Sequence, residues 1–347
     1  MERSLDRKLA AIHADPDGCR EFIIADAKDA DMGFGITAPG PERDACPHGF
    51  DPGQGCFKTL DQYRAQIREV VRQELVDIML LSASNLEQLA MRERIFDGTS
   101  ITPAARANDT SDVWVVRGGK YIRLPSRPFR SATIDHIKYG RLVGDHDRPV
   151  TGADLGLYSV TFTNDLERDY QSLKDFHEFR IEAERKRFRY FLEVFNPNVD
   201  AGLNRKEVGA FMNDCIIRTL AGVTRAGRPL FLKIPYNGPG PLEELVCYDP
   251  HLVVGILGGS AGTTLDAFQL IHDARKHGAR VALYGRKINL SEDPLAFIRY
   301  LRAITDGQID PREAVKAYHD ELRKSGIRPL RPLSQDLKIT ETSLSYG

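Results

Sequence analysis

The sequence predicts a (β/α)8 barrel formed by a single domain over residues 1–347. Two observations carry this. Short, almost wholly apolar runs recur along the chain, and amphipathic stretches of helical length lie between most of them. Continuous apolar runs belong to strands buried on both faces, as in a parallel sheet covered by helices. Strands that alternate with helices build such a sheet. Eight runs in one chain favour closure into a barrel over the alternative, an open doubly wound sheet.

The eight runs are Phe22–Asp26, Val76–Ser82, Ile101–Ala105, Leu157–Thr163, Tyr190–Phe195, Pro229–Ile234, Leu252–Leu257 and Arg280–Tyr284. Three helices stand out between them. Gln62–Leu75 places Ile67, Val70, Val71 and Leu75 on one face. Arg205–Leu220 groups Val208, Phe211, Met212, Cys215 and Ile216, and Thr263–His277 groups Leu265, Phe268, Ile271 and Ala274. Each follows the helical spacing of three and four. Gly278 then ends the last of them. The barrel core is expected over residues 20–305, with a C-terminal helix and tail over 306–347. Two connections are long, residues 27–75 and 106–156. Both fall on the C-terminal face of the barrel, where such folds carry their chemistry. The second is expected to cover the mouth or to contact another subunit.

Composition narrows the function classes. Basic and acidic residues nearly cancel, 48 against 49, so neither nucleic acid nor a membrane surface is an expected partner. No apolar run reaches the length of a membrane span, and the charged start MERSLDRKLAAIHAD lacks an export signal's apolar core. Five cysteines without a CxxC pair fit a reduced, cytoplasmic setting. Cys46, His48 and Cys56 match no common zinc spacing, so neither a metal nor a cofactor is expected.

Four segments carry candidate chemistry. In PLFLKIPYNG, residues 229–238, Phe231 and Lys233 share one strand face. Burial among apolar neighbours lowers a lysine's pKa, which suits a nucleophilic amine; a lysine that snorkels to solvent is the competing reading. In RYFLEVFNP, residues 189–197, Glu193 occupies the equivalent place one βα unit earlier. It is either a proton shuttle for Lys233 or half of a structural ion pair. In EFIIADAKDADMGFG, residues 21–35, Asp26 and Lys28 come where the first strand ends. They are candidates for a base and an anion contact, whereas Asp29 and Asp31 read as solvated or capping. In VVGILGGSAGTTLDAF, residues 253–268, Gly258, Gly259 and Ser260 form a turn before a helix whose free N–H groups suit a phosphate. Gly285 and Arg286 follow the next strand, so a phosphate between the last two loops is expected. Arg106, Asn108 and Asp109 follow the third strand, and Asn164 and Asp165 the fourth. Arg106 is the candidate for a second anionic group of the substrate; turn or capping roles suit the others.

Together these segments resemble the class I aldolases of the aldolase-type barrel superfamily, nearest the tagatose-bisphosphate aldolase and DeoC/DhnA-like families. The resemblance implies that Lys233 in LKIPYNG forms an imine and that Glu193 in FLEVF serves it. It also implies that Asp26 in IIADAK closes the first strand, and that Gly258, Gly259, Gly285 and Arg286 hold phosphate. It covers roughly residues 20–305. The tagatose-bisphosphate family carries a lysine on its fourth strand, and LGLYSVTFTND has none. The expectation is a metal-independent aldolase of carbohydrate metabolism that cleaves a phosphorylated ketose and assembles as a homo-oligomer. A phosphate-binding isomerase and a non-catalytic sugar-phosphate-binding barrel are the competing functions.

Overall fold

The computed structural model describes residues 2–42, 56–143, 148–259 and 262–344. Eight parallel strands close into a barrel: β1 (Ile23–Lys28), β2 (Ile78–Leu81), β3 (Thr102–Arg106), β4 (Leu155–Thr161), β5 (Arg189–Phe195), β6 (Leu232–Ile234), β7 (Val254–Leu257) and β8 (Val281–Tyr284). Each pairs with its neighbours in chain order, and β8 returns to β1 through Ile23↔Val281 and Asp26↔Tyr284. All eight expected runs become strands. The main difference is at β1, which continues to Lys28 and leaves Asp26 inside the strand.

Side chains alternate between two buried layers. Ile23, Ala25, Leu80, Ala104, Leu157 and Leu283 fill the lumen. Phe191 and Phe231 stack there with centroids 4.6 Å apart. Ile24, Met79, Leu81, Leu192, Leu232 and Tyr284 point outward to the helices. Around the barrel lie α2 (Leu60–Gln73), α3 (Leu166–Arg185), α4 (Arg205–Ala221), α5 (Pro239–Tyr248), α6 (Thr264–Lys276), α7 (Pro294–Thr305) and α8 (Pro311–Lys324). The three expected helices are α2, α4 and α6. Among the described residues no helix is long and apolar enough to cross a membrane.

The lumen is stoppered from below by α1 (Ser4–Ala14), whose Leu5, Leu9 and Ile12 join the lumen cluster. Their spacing of four and three is legible in the sequence, but nothing there says that the helix precedes the barrel only to close it. At the mouth, the long β3–β4 connection carries a two-residue antiparallel pairing, Asp109–Thr110 against Pro128–Phe129. It reaches the β1 loop, where the Val115 amide donates to the Gly33 carbonyl at 2.8 Å.

A buried charge cluster holds α1 in place. Asp77, 3 % exposed, accepts from Lys8 of α1 at 2.9 Å, from Arg302 of α7 at 2.7 Å and from the Ile24 amide at 2.9 Å. Burial pushes the Asp77 carboxyl up, but Arg302 and Lys8 outweigh it and leave it below its ordinary value. A depressed folded-state pKa contributes stability above the unfolded pKa of about 3.9, and that contribution is lost as pH falls through the folded value. Asp77→Ala strands Lys8 in the interior and is expected to cost about 3–5 kcal/mol in urea unfolding. Asp77→Asn is expected to flatten part of the wild-type stability loss below about pH 4. An unaltered profile would contradict this role.

Candidate active site

The site grows from the register of three neighbouring strands. Glu193 of β5 lies opposite Lys233 of β6 on one side and Ser159 of β4 on the other. All three face the lumen one layer above Phe191 and Phe231, so the apolar plug ends where the polar layer begins. The Lys233 ammonium contacts Glu193 Oε1 at 2.5 Å, and the Ser159 hydroxyl donates to Oε2 at 2.6 Å. Glu193 is 1 % exposed. A carboxylate so deeply placed is tolerable because both oxygens are engaged by donors.

Arg106, the last residue of β3, ties this pair to the β1 loop. Its Nε donates to Asp29 at 2.6 Å, its Nη1 to Ser159 Oγ at 3.1 Å, and its Nη2 reaches Glu193 at 3.5 Å. Burial pushes the guanidinium pKa down, but Asp29 and Glu193 outweigh it, so the charge is held firmly. Arg106 and Lys233 therefore balance Asp29 and Glu193. Beside them Asn108 clips β3 to β4, donating to the Ser159 carbonyl at 2.8 Å and accepting its amide at 2.6 Å.

These groups open into a cavity of about 190 Å³ that reaches Gly258, Gly259, Gly285 and Arg286 on the far rim. Gly285 has no room for a side chain, because a Cβ there would lie 2.7 Å from the Ala27 carbonyl. Gly259 adopts φ 64°, a left-handed value that glycine takes without strain. Arg286 lies over the Phe34 ring, 5.4 Å from its centroid, and pairs with no carboxylate among the described residues. Phe34, Val113 and Val115 roof the cavity from the two long loops.

Several expected residues sit differently. The amides at the start of α6 are already taken: Thr263 by Asp266 at 2.7 Å, Thr264 by Asp336 at 2.8 Å and Asp266 by Thr263 at 3.1 Å. The Gly258 amide donates to Leu283 at 2.7 Å. The anion-binding potential of this rim therefore rests on Gly259, Gly285 and Arg286 rather than on the α6 terminus. Ser260 lies outside the described residues, as do Cys46 and His48; Cys56 is exposed. Among the described residues no group of three or more His, Cys, Asp or Glu is placed to hold a metal ion.

Asp26 and Lys28 do not reach the cavity. With β1 extended to Lys28, both share the outward face of Ile24, and both are fully buried behind the strand. Their charges lie 3.3 Å apart, and Lys28 also donates to Asn289. Burial raises the Asp26 pKa to about 6 and lowers that of Lys28. Asp29, expected to be solvated or capping, is 7 % exposed and holds Arg106. Asp31, given the same two expectations, starts the short helix Asp31–Phe34 and accepts from Ser82 at 2.7 Å and Asn85 at 3.1 Å. Ser159 was not singled out in the sequence; only its position opposite Glu193 in the β4–β5 register reveals it. Asp165 caps α3, as a residue after the fourth strand was expected to.

No family model matches the sequence, and no curated protein matches it. Solved structures do. An archaeal fructose 1,6-bisphosphate aldolase superposes with a TM-score of 0.58 at 15% identity, covering 86% of this chain and 99% of that one. A structure of the same enzyme kind, described as Schiff-base-forming, gives 0.57 at 16% over 86% and 99%. A Corynebacterium glutamicum protein gives 0.55 at 14% over 88% and 94%. The chain thus has a closed (β/α)8 barrel fold of the kind found in these aldolases.

Proposed function

We propose that the chain is a class I aldolase that forms a Schiff base through Lys233 with a phosphorylated keto substrate. One observation carries this reading. A buried lysine and carboxylate touch at 2.5 Å in a cavity whose opposite rim offers a guanidinium that no carboxylate among the described residues pairs with. An ion pair that served stability alone would need no cavity above it.

The arrangement suits the following steps. Substrate binding places the phosphate at Gly259, Gly285 and Arg286 and the carbonyl above Lys233. The Lys233 ammonium passes a proton to Glu193, and the free amine attacks the carbonyl carbon. Glu193 returns the proton to the carbinolamine oxygen, which leaves as water, and a protonated imine remains. A base takes the proton of the hydroxyl two carbons from the imine carbon. The carbon–carbon bond then breaks, an aldehyde departs and the electron pair moves into the imine to give an enamine. Proton addition to the enamine carbon and hydrolysis free Lys233. The scheme needs no metal. Asp26 is not given the hydroxyl proton, because it lies behind β1. Asp109 lines the cavity, and burial raises its pKa, so it takes that role here.

Borohydride reduction with dihydroxyacetone phosphate or a ketose 1-phosphate is expected to add the ligand mass to Lys233. Lys233→Met should keep the fold and lose the label. Glu193→Gln should slow labelling by about 10²–10⁴-fold, the usual worth of general acid–base catalysis. Peptide mapping that found the adduct on another lysine, such as Lys28, would refute the mechanism. Arg286→Ala is expected to weaken phosphorylated ligands by about 1.5–3 kcal/mol in calorimetry; unchanged affinity would remove Arg286 from the phosphate site.

A further inference from the structure

The charges along the cavity wall are not evenly spread. In a ring of eight strands β3 faces β7 and β4 faces β8, so the loop after β3 stands across the mouth from Gly259 and Arg286. That loop contributes Asp109 and Asp112 to the cavity wall. Arg106 and Lys233 are already matched by Asp29 and Glu193. What remains is a cation on the β7–β8 side and two carboxylates on the β3–β4 side.

The carboxylates are held for accepting hydroxyl protons. Asp112 takes Ser126 Oγ at 2.7 Å and Thr161 Oγ1 at 3.0 Å. Asp109 takes Ser131 Oγ at 3.1 Å through Oδ2. Its Oδ1 accepts no hydrogen bond from another described residue, and Asp109 lines the cavity, which leaves that oxygen for a ligand hydroxyl. Among the described residues lining the cavity, Arg106 is the one cation on this side, and its three nitrogens are engaged by Asp29, Ser159, Asn108 and Glu193.

Resting on the aldolase reading, we propose that the site is built for a keto substrate with one phosphate, whose far end carries uncharged hydroxyls bound by Asp109 and Asp112. The phosphate sits on the Arg286 side and the hydroxyl end on the β3–β4 side. A second phosphate at that end meets two carboxylates in a partly desolvated cavity, where like charges repel far more than in water. The carboxylates thus select by rejection as well as by attraction. They would set this chain apart from a catalyst for a sugar bisphosphate.

Fructose 1-phosphate and fructose 1,6-bisphosphate differ in that one group and make the direct test. Calorimetry on the wild-type chain is expected to show the monophosphate binding at least about tenfold more tightly. The signal of Trp114, the chain's single tryptophan, which stacks on Tyr121 beside Asp112, provides a second reading. In Asp109→Asn/Asp112→Asn the gap is expected to close because the bisphosphate gains affinity. Asp112→Asn alone should narrow it, and serves if the double variant does not fold. Equal or tighter binding of the bisphosphate by the wild type, binding of neither sugar, or a gap unmoved by the variants would each overturn the proposal. Borohydride labelling is a separate reading: an unlabelled Lys233 would sink the imine mechanism while leaving the order of affinities intact.

Discussion

The contact on which the site depends is the buried ion pair between Lys233 and Glu193, 2.5 Å apart near the mouth of the barrel. Two charges removed from water are costly unless their remaining bonding capacity is filled. Here Ser159 and Arg106 fill it from β4 and β3, and Asp29 completes Arg106 from the β1 loop. Each strand supplies one member because barrel closure brings the lumen-facing residues of β3 to β6 to one layer. The phenyl rings beneath keep that layer dry from below, and the two long loops roof it from above.

In the proposed function this arrangement would also limit what the site accepts, because an internally neutral network leaves the unmatched charges to do the selecting. Arg286 stands on one rim and Asp109 and Asp112 on the other. Under the proposed function, one positive end and one negative end would orient an asymmetric ligand, and that orientation would decide which carbon meets the Lys233 amine.

Much of the barrel was legible because buried parallel strands must be apolar. The eight runs, α2, α4 and α6 follow from periodicity alone. Lys233 and Glu193 were legible for the reverse reason: a charge inside an apolar run is expensive and therefore conspicuous. Asp26 and Lys28 were conspicuous in the same way, yet they sit behind the strand. Which face of a strand looks into a barrel is set by its register with its neighbours: Asp26 lies opposite the outward-facing Tyr284 and Met79, and β1 runs on to Lys28 in the same alternation. Asp29, one residue past the strand, is the carboxylate that turns toward the lumen. The α6 terminus misled for another reason. Its glycines suggested an anion site, but Asp336, some seventy residues later in the chain, occupies an amide there. Ser159 carried no signal at all until its register opposite Glu193 was known.

The proposed chemistry requires Lys233 to be the residue that meets the carbonyl carbon. A crystal soaked with a ketose 1-phosphate and then reduced would show this directly. Continuous density from Lys233 Nζ to the second carbon of the sugar, with the phosphate against Gly259 and Arg286, is the predicted result. A bound sugar lying clear of an unmodified Lys233, or a phosphate seated at the β3–β4 rim, would contradict it.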